Sequence, residues 1–175
     1  MGATASCDTG ADEVMRDLLR GMVMIVWGCA MHPPVHAADD ASAYKKDVVL
    51  WYEAFNQKDP ALLDRVLSAS WVDIPAAPGQ RPGPDGAKPL LSSLTTAFPD
   101  LELTLKDIFQ DGNRVIVRAE MSGTQRAPFM GFAAKNRKMS IQVVDIHEFK
   151  DGKIVRTWHT EDWLTGLHQL GVFDK

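Results

Sequence analysis

Apolar residues repeat with two different periods along the chain, and the change comes near residue 100. Over residues 42–58, Tyr44, Val48, Trp51, Tyr52 and Phe55 recur every three or four positions, which predicts a helix with one buried face. Asp59-Pro60 offers an N-cap followed by a proline suited to a first helical position. Leu62, Leu63, Val66 and Leu67 then predict a second, shorter helix. Trp71-Val72-Asp73-Ile74 reads as a short extended piece. The proline- and glycine-rich residues 75–89 read as a loop, and residues 86–97 as a third helix stopped by Phe98-Pro99.

Beyond that point the period is two. Leu101, Leu103 and Leu105 alternate with polar residues, and Asp111-Gly112-Asn113 suits a tight turn. Residues 114–125 alternate again, with Val115, Val117, Ala119 and Met121 on one face. Residues 139–149 and 154–160 predict two more strands, joined by the hairpin turn Lys150-Asp151-Gly152-Lys153. Residues 164–170 close the chain as a short helix or turn. Helices gathered ahead of a run of hairpin-linked strands predict an α+β fold. In it, three N-terminal helices pack on a curved, mainly antiparallel sheet that leaves a cone-shaped cavity. No βαβ units repeat, so a doubly wound sheet is not expected.

Residues 15–37 break this pattern. Arg16 and Arg20 precede an apolar stretch from Gly21 to Met31, then Pro33-Pro34, then Val35-His36-Ala37. That order matches a secretory signal with a small-residue cleavage site. The stretch is too short to span a bilayer. The expected organisation is a leader over residues 1–37 and one domain over residues 38–175, secreted or periplasmic. Translation from Met15 and processing at Cys29 are alternative readings of the same segment.

Composition narrows the chemistry. The 175 residues carry 19 Lys+Arg against 23 Asp+Glu, a net charge of −4, which gives no footprint for nucleic acid or an anionic membrane. Cys7 and Cys29 both fall in the leader, so no thiol nucleophile, thiolate metal site or disulfide is expected in the domain. The domain holds His147, His159 and His168 without tight carboxylate spacing, and no metal site is expected. If the last hairpin pairs Phe149 with Ile154, alternation puts Asp145, His147, Arg156, Trp158, Thr160 and Asp162 on one face. In that register Asp162 lies roughly 20 Å along the strand from His147, so the two meet only if a bulge intervenes. His159 has the opposite parity and reads as exterior. A carboxyl in an apolar cavity has a raised pKa, which suits proton transfer near neutral pH. Trp51, Phe55, Trp71, Phe132 and Trp163 are candidates for the wall of a cavity holding a flat apolar ligand.

Several phrases resemble the SnoaL-like polyketide cyclases, a family within the superfamily similar to nuclear transport factor two. They are Phe98-Pro99-Asp100, the turn-and-strand Asp111-Gly112-Asn113-Arg114-Val115-Ile116-Val117-Arg118, Gly123-Thr124, Phe129-Met130-Gly131, Phe149-Lys150-Asp151-Gly152-Lys153-Ile154, Trp158-His159-Thr160-Glu161-Asp162 and Gln169-Leu170-Gly171. The resemblance covers about residues 44–173. It implies an α+β cone, a homodimer through the sheet face, and cofactor-free proton transfer by one acid. The family's Trp-x-x-x-Asp carries over onto Trp158 and Asp162, making Asp162 the expected catalytic acid; His147, on the same predicted face, is a second catalytic candidate whose other reading is a cross-strand structural histidine. Asp145 and Trp158 join the expected substrate contacts. Asp162 also directly precedes Trp163-Leu164-Thr165, a position that suits a helix cap. The family pattern commonly has a histidine after the first strand's aspartate and another after Gly-Thr. Here those positions hold Ile74 and Gln125. The expected activity is cyclase-like intramolecular aldol or related lyase or isomerase chemistry on a small hydrophobic carbonyl compound. The alternative is a non-catalytic binding protein of the cell envelope, which an export leader favours over cytoplasmic biosynthesis.

Overall fold

A computed structural model of the chain describes residues 36–174, with side chains from residue 43. The leader segment and both cysteines lie outside the described residues, except that His36 and Ala37 start the first helix. Four helices and five strands follow in the order α1 (His36–Gln57), α2 (Ala61–Val66), β1 (Leu67–Ile74), α3 (Pro84–Ala97), β2 (Glu102–Asp111), β3 (Arg114–Thr124), β4 (Lys138–Lys150), β5 (Lys153–Glu161) and α4 (Trp163–Gln169). None of these helices is long and apolar enough to cross a membrane.

The sheet order is β1-β5-β4-β3-β2. Three hairpin-type pairings are antiparallel, and β1 joins β5 in parallel at one edge. The fold is thus α+β, with helices on one face of a mixed sheet. The apolar stripe of α1 explains the layer. Val48, Trp51, Tyr52 and Phe55 are buried against Val115, Val117, Ala119 and Met121 of β3, the inward set that period-two alternation demands. Asn56 on the same helix grips the outer margin of edge strand β2. Its Nδ2 donates to the Leu103 carbonyl at 3.0 Å, and its Oδ1 accepts from the Leu103 amide at 2.7 Å.

Two local readings differ from expectation. β1 begins at Leu67, so the predicted second helix is shorter and its last residue already belongs to the sheet. Asp59 does cap α2, its Oδ1 accepting from the Ala61 amide at 2.9 Å. The expected loop over residues 75–89 ends at Gly83, because Pro84 occupies the first turn of α3, where a missing N–H costs nothing. Gly83 has φ 72°, and a Cβ there would sit 2.5 Å from the Ala69 carbonyl oxygen, so only glycine allows the loop to close against β1. The basic residues Lys135 and Arg137 tie down the end of the chain. Lys135 Nζ donates to the Gly171 carbonyl and Arg137 pairs with Asp174 at 2.6 Å, which fixes the C-terminal turn.

The decisive difference lies in β4–β5. Phe149 pairs with Ile154 as expected, but Glu148 pairs with Arg156, so Val155 is an extra residue in β5. This bulge reverses the parity of everything after it. Thr157, His159 and Glu161 turn inward, opposite His147, Asp145 and Val143, while Arg156, Trp158 and Thr160 turn outward. The expected face was therefore wrong for β5 and right for β4.

Candidate active site

Between the inner sheet face and helices α1 and α3 lies a cavity of about 590 Å³, a size suited to a drug-like or polycyclic molecule. Its walls are mostly apolar, with Trp51, Phe55, Leu94, Phe129, Val143 and Trp163 contributing. The loop after β1 (Pro75, Ala77, Gln80) and the turn at Met130 complete its rim. The polar side chains are few and converge from three strands: Asp73 from β1, Asp145 from β4, and Thr157, His159 and Glu161 from β5. Tyr52 of α1 completes this set.

Asp145 sits deepest in electrostatic terms. Burial raises its carboxyl from an ordinary 3.8 to about 7, against the opposing effect of a hydrogen bond that Tyr52 Oη donates to Asp145 Oδ2. Tyr52 itself is pushed well above 10 by burial and by the facing carboxylate, so it stays a neutral donor. Behind Tyr52 lies His147, with its Nε2 3.4 Å from the phenol oxygen and its Nδ1 3.0 Å from Thr157 Oγ1. Thr157 Oγ1 also accepts from Trp71 Nε1 at 3.0 Å. Complete burial drives His147 down to about 3, so the ring is neutral at physiological pH.

His159 is its opposite. Its Nδ1 lies 3.1 Å from both Glu161 oxygens, and its Nε2 is 3.0 Å from the Pro75 carbonyl and 3.4 Å from Asp73 Oδ1. The Glu161 hydrogen bond and charge raise it to about 9, so it is an imidazolium, and among the described residues no lysine or arginine lines the cavity. Asp73 is raised by burial and also accepts from Gln80 Nε2 at 3.2 Å. Among the described residues no three His, Cys, Asp or Glu side chains are grouped to hold one metal ion.

The expected site residues divide cleanly. Trp51, Phe55, Asp145 and Trp163 line the cavity. Asp162 does not: it is exposed at the start of α4, where its Oδ1 accepts from the Thr165 amide at 3.1 Å and its carboxyl is held below the ordinary range. The cap, not the cavity acid, is its position. Trp158 lies on the outer sheet face, with the Arg114 and Arg156 guanidinium groups each 5.3 Å from its ring centre. Trp71 is wholly buried in the core, and Phe132 is exposed beside the turn whose backbone it shares with Phe129. His147 is close to the acid but reaches it only through Tyr52.

His159 was expected outside, and Asp73 was read only as part of a short extended piece with no assigned role; both face the cavity. Tyr52, Thr157 and Glu161 carried no signal beyond helix stripe and strand alternation, and the Val155 bulge hid the parity of the last two. Gln125, which replaces a histidine of the family pattern, is buried and holds the following loop, its Nε2 donating to the carbonyls of Ala127 and Phe132 at 3.2 Å each.

Similar proteins place this architecture. Among solved structures the chain resembles TsrD from Streptomyces laurentii at 28% identity, with a TM-score of 0.70 over 74% of this chain and 96% of that one. It resembles IdmH from Streptomyces antibioticus at 28% identity and TM-score 0.64 (73% and 97% covered). AclR from Streptomyces galilaeus follows at 25% identity and TM-score 0.62 (78% and 98% covered). No curated protein matches the sequence. The sequence profile of the SnoaL-like polyketide cyclases matches residues 46–170, a stretch that holds every element from the stripe of α1 to the last helix. On profile and fold together, this chain belongs to the SnoaL-like polyketide cyclase family.

Proposed function

We propose that the protein is a cofactor-independent acid/base enzyme acting on a small hydrophobic carbonyl compound, with Asp145 as the proton-transfer group. The observation that carries this reading is a buried carboxyl, poised at about 7, opening onto a large apolar cavity. An acid with that value is part carboxylate and part carboxylic acid near neutral pH, which is what a group that must take and return one proton needs. In aldol closure the Asp145 carboxylate removes a proton next to a carbonyl. The resulting enolate carbon attacks a second carbonyl of the same molecule, and the new alkoxide takes the proton back from Asp145. No atom is gained or lost overall. His159 faces Asp145 across the β4–β5 pair. Both its N–H groups are engaged, so it offsets the developing negative charge through its field.

IdmH and AclR, as a candidate polyketide cyclase and a candidate hydroxylase, support chemistry in such a cavity without fixing which reaction runs here. A second reading is a non-catalytic binding protein, and one observation favours it: the acid that the family pattern supplies, Asp162, caps a helix outside the cavity. An export leader at residues 15–37 and a homodimer through the outer sheet face belong to the same proposal.

The test compares wild type with Asp145→Asn on a panel of uncyclised polycarbonyl compounds. Turnover is expected to fall by about 10²–10⁴-fold, the usual worth of a general acid/base, while ligand affinity stays within a few fold. A wild type that binds these ligands and never converts them establishes the binding protein instead.

A further inference from the structure

With Asp145 ionised, one direction of the hydrogen bonds behind it satisfies every hydrogen, and it is set by the one group that can only donate. Indole Nε1 of Trp71 is a donor with no acceptor capacity, so Thr157 Oγ1 must accept from it. The threonine hydroxyl keeps one hydrogen and a second lone pair; with Asp145 ionised, an Nδ1–H would leave that hydrogen and Nε2 both without a partner, whereas Nδ1 as acceptor at 3.0 Å uses both, so Nδ1 is assigned as the accepting nitrogen. A neutral imidazole carries one proton, which therefore sits on Nε2 and points at the Tyr52 oxygen. The phenol hydrogen is left for Asp145 Oδ2. Asp145 lines the cavity, its Oδ2 is taken by Tyr52, and Oδ1 is not among the fully enclosed unpartnered atoms of the described residues, which leaves Oδ1 as the oxygen available to a ligand.

We propose that Thr157, His147 and Tyr52 are positioning residues forming a one-way relay from Trp71 to Asp145, which locks Oδ2 and presents Oδ1 as the reactive oxygen. This rests on Asp145 being the proton-transfer group. The relay does more than hold a rotamer. Each bond polarises the next, so the phenol is a stronger donor than an isolated tyrosine and favours the carboxylate. The other charged groups facing Asp145 are His159 and Glu161 from β5 and Asp73 from β1, with no contribution from α1 other than Tyr52. None of these three hydrogen-bonds to the relay, though the Glu161 charge also bears on Tyr52, so the variants below change relay members alone.

The experiment is a substrate-free NMR titration of the full, isotope-labelled chain, following the Asp145 carboxyl carbon and the His147 ring nitrogens. In wild type, His147 is expected to hold one tautomer, protonated on Nε2, wherever the fold persists. Thr157→Val keeps the shape and removes the hydroxyl. It should release the tautomer into a mixture and raise the Asp145 midpoint by about 0.5–1 pH unit, the worth of one polarised hydrogen bond. Thr157→Ser should restore both. In a Tyr52→Phe background, Thr157→Val should leave the Asp145 midpoint where Tyr52→Phe alone puts it, because the relay is already cut. If Thr157→Val does not fold, the same pair of titrations is read on His147→Leu. An Nδ1-protonated His147 in wild type, an unmoved Asp145 midpoint in the intact-Tyr52 variant, or a shift that persists in the Tyr52→Phe background overturns the relay. Because no substrate is present, these outcomes are independent of whether Asp145→Asn abolishes turnover.

Discussion

Three titratable side chains on two adjacent strands carry opposite perturbations, and burial against partnership explains each. His147 has neutral neighbours only and is driven down, whereas His159 has Glu161 and Asp73 and is driven up. The consequences for stability have opposite signs. His147, with a folded value near 3 against 6.5 when unfolded, costs stability as the pH falls through that interval. Asp145, near 7 against 3.8, costs stability as the pH rises through its own interval, so the two oppose each other where the windows overlap. His159 acts alone on the alkaline side. Its folded value of about 9 exceeds the unfolded 6.5, so its stabilisation is complete below 6.5 and is lost as the pH climbs toward 9. Thermal melts followed by circular dichroism should show Tm falling across that window in wild type. The His159→Gln variant should start lower and stay flat across it; an equal decline in both proteins would refute the assignment.

At the scale of elements, one extra residue decides the site. Without the Val155 bulge, Arg156 and Trp158 would point into the cavity, and Thr157, His159 and Glu161 would point out. Deleting Val155 should therefore abolish cooperative unfolding altogether. It would bury an arginine and expose Thr157, a cost comparable with a domain's whole stability of about 5–15 kcal/mol. A melt that keeps its sharp transition would show that β5 can re-register. The bulge also marks where reading the sequence stopped working. The stripe of α1, the strands of β3 and β4 and the hairpin pairing of Phe149 with Ile154 all follow from periods of 3.6 and two, because those periods are burial itself. Asp145, Trp51, Phe55 and Trp163 were legible for that reason. The bulge leaves no periodic trace, since no glycine or proline marks Ile154-Val155-Arg156, so His159 and Glu161 appeared on the wrong face. Asp162 was ambiguous in a different way: a carboxylate just before a helix caps it whatever else the family motif suggests.

For the whole molecule, the same parity that fills the cavity also sorts the outer surface. Ile74, Trp158, Ile146, Ile116 and Phe109 are successive cross-strand partners through all five strands, a continuous apolar row on the face away from the helices. Beside it, Glu148 is bracketed by Arg156 at 2.8 Å and Arg114 at 3.4 Å. Phe109 is 61% exposed, more than an isolated domain ordinarily leaves a phenylalanine in such a row. If two copies pair through this face, light scattering should report twice the chain mass for wild type and the single-chain mass for Ile146→Glu. Equal masses for the two proteins would exclude the face as the contact.

The grip of Asn56 on Leu103 has a consequence for how the molecule behaves in a crowd. An outermost strand is an invitation to any passing extended segment, which can add itself and begin a fibre. Here a side-chain amide imitates the missing neighbour, occupying one N–H and one C=O at the start of the margin. A newcomer would have to displace that amide before it could zip on. The helix that builds the chamber thus also blocks the near end of this open margin to strangers.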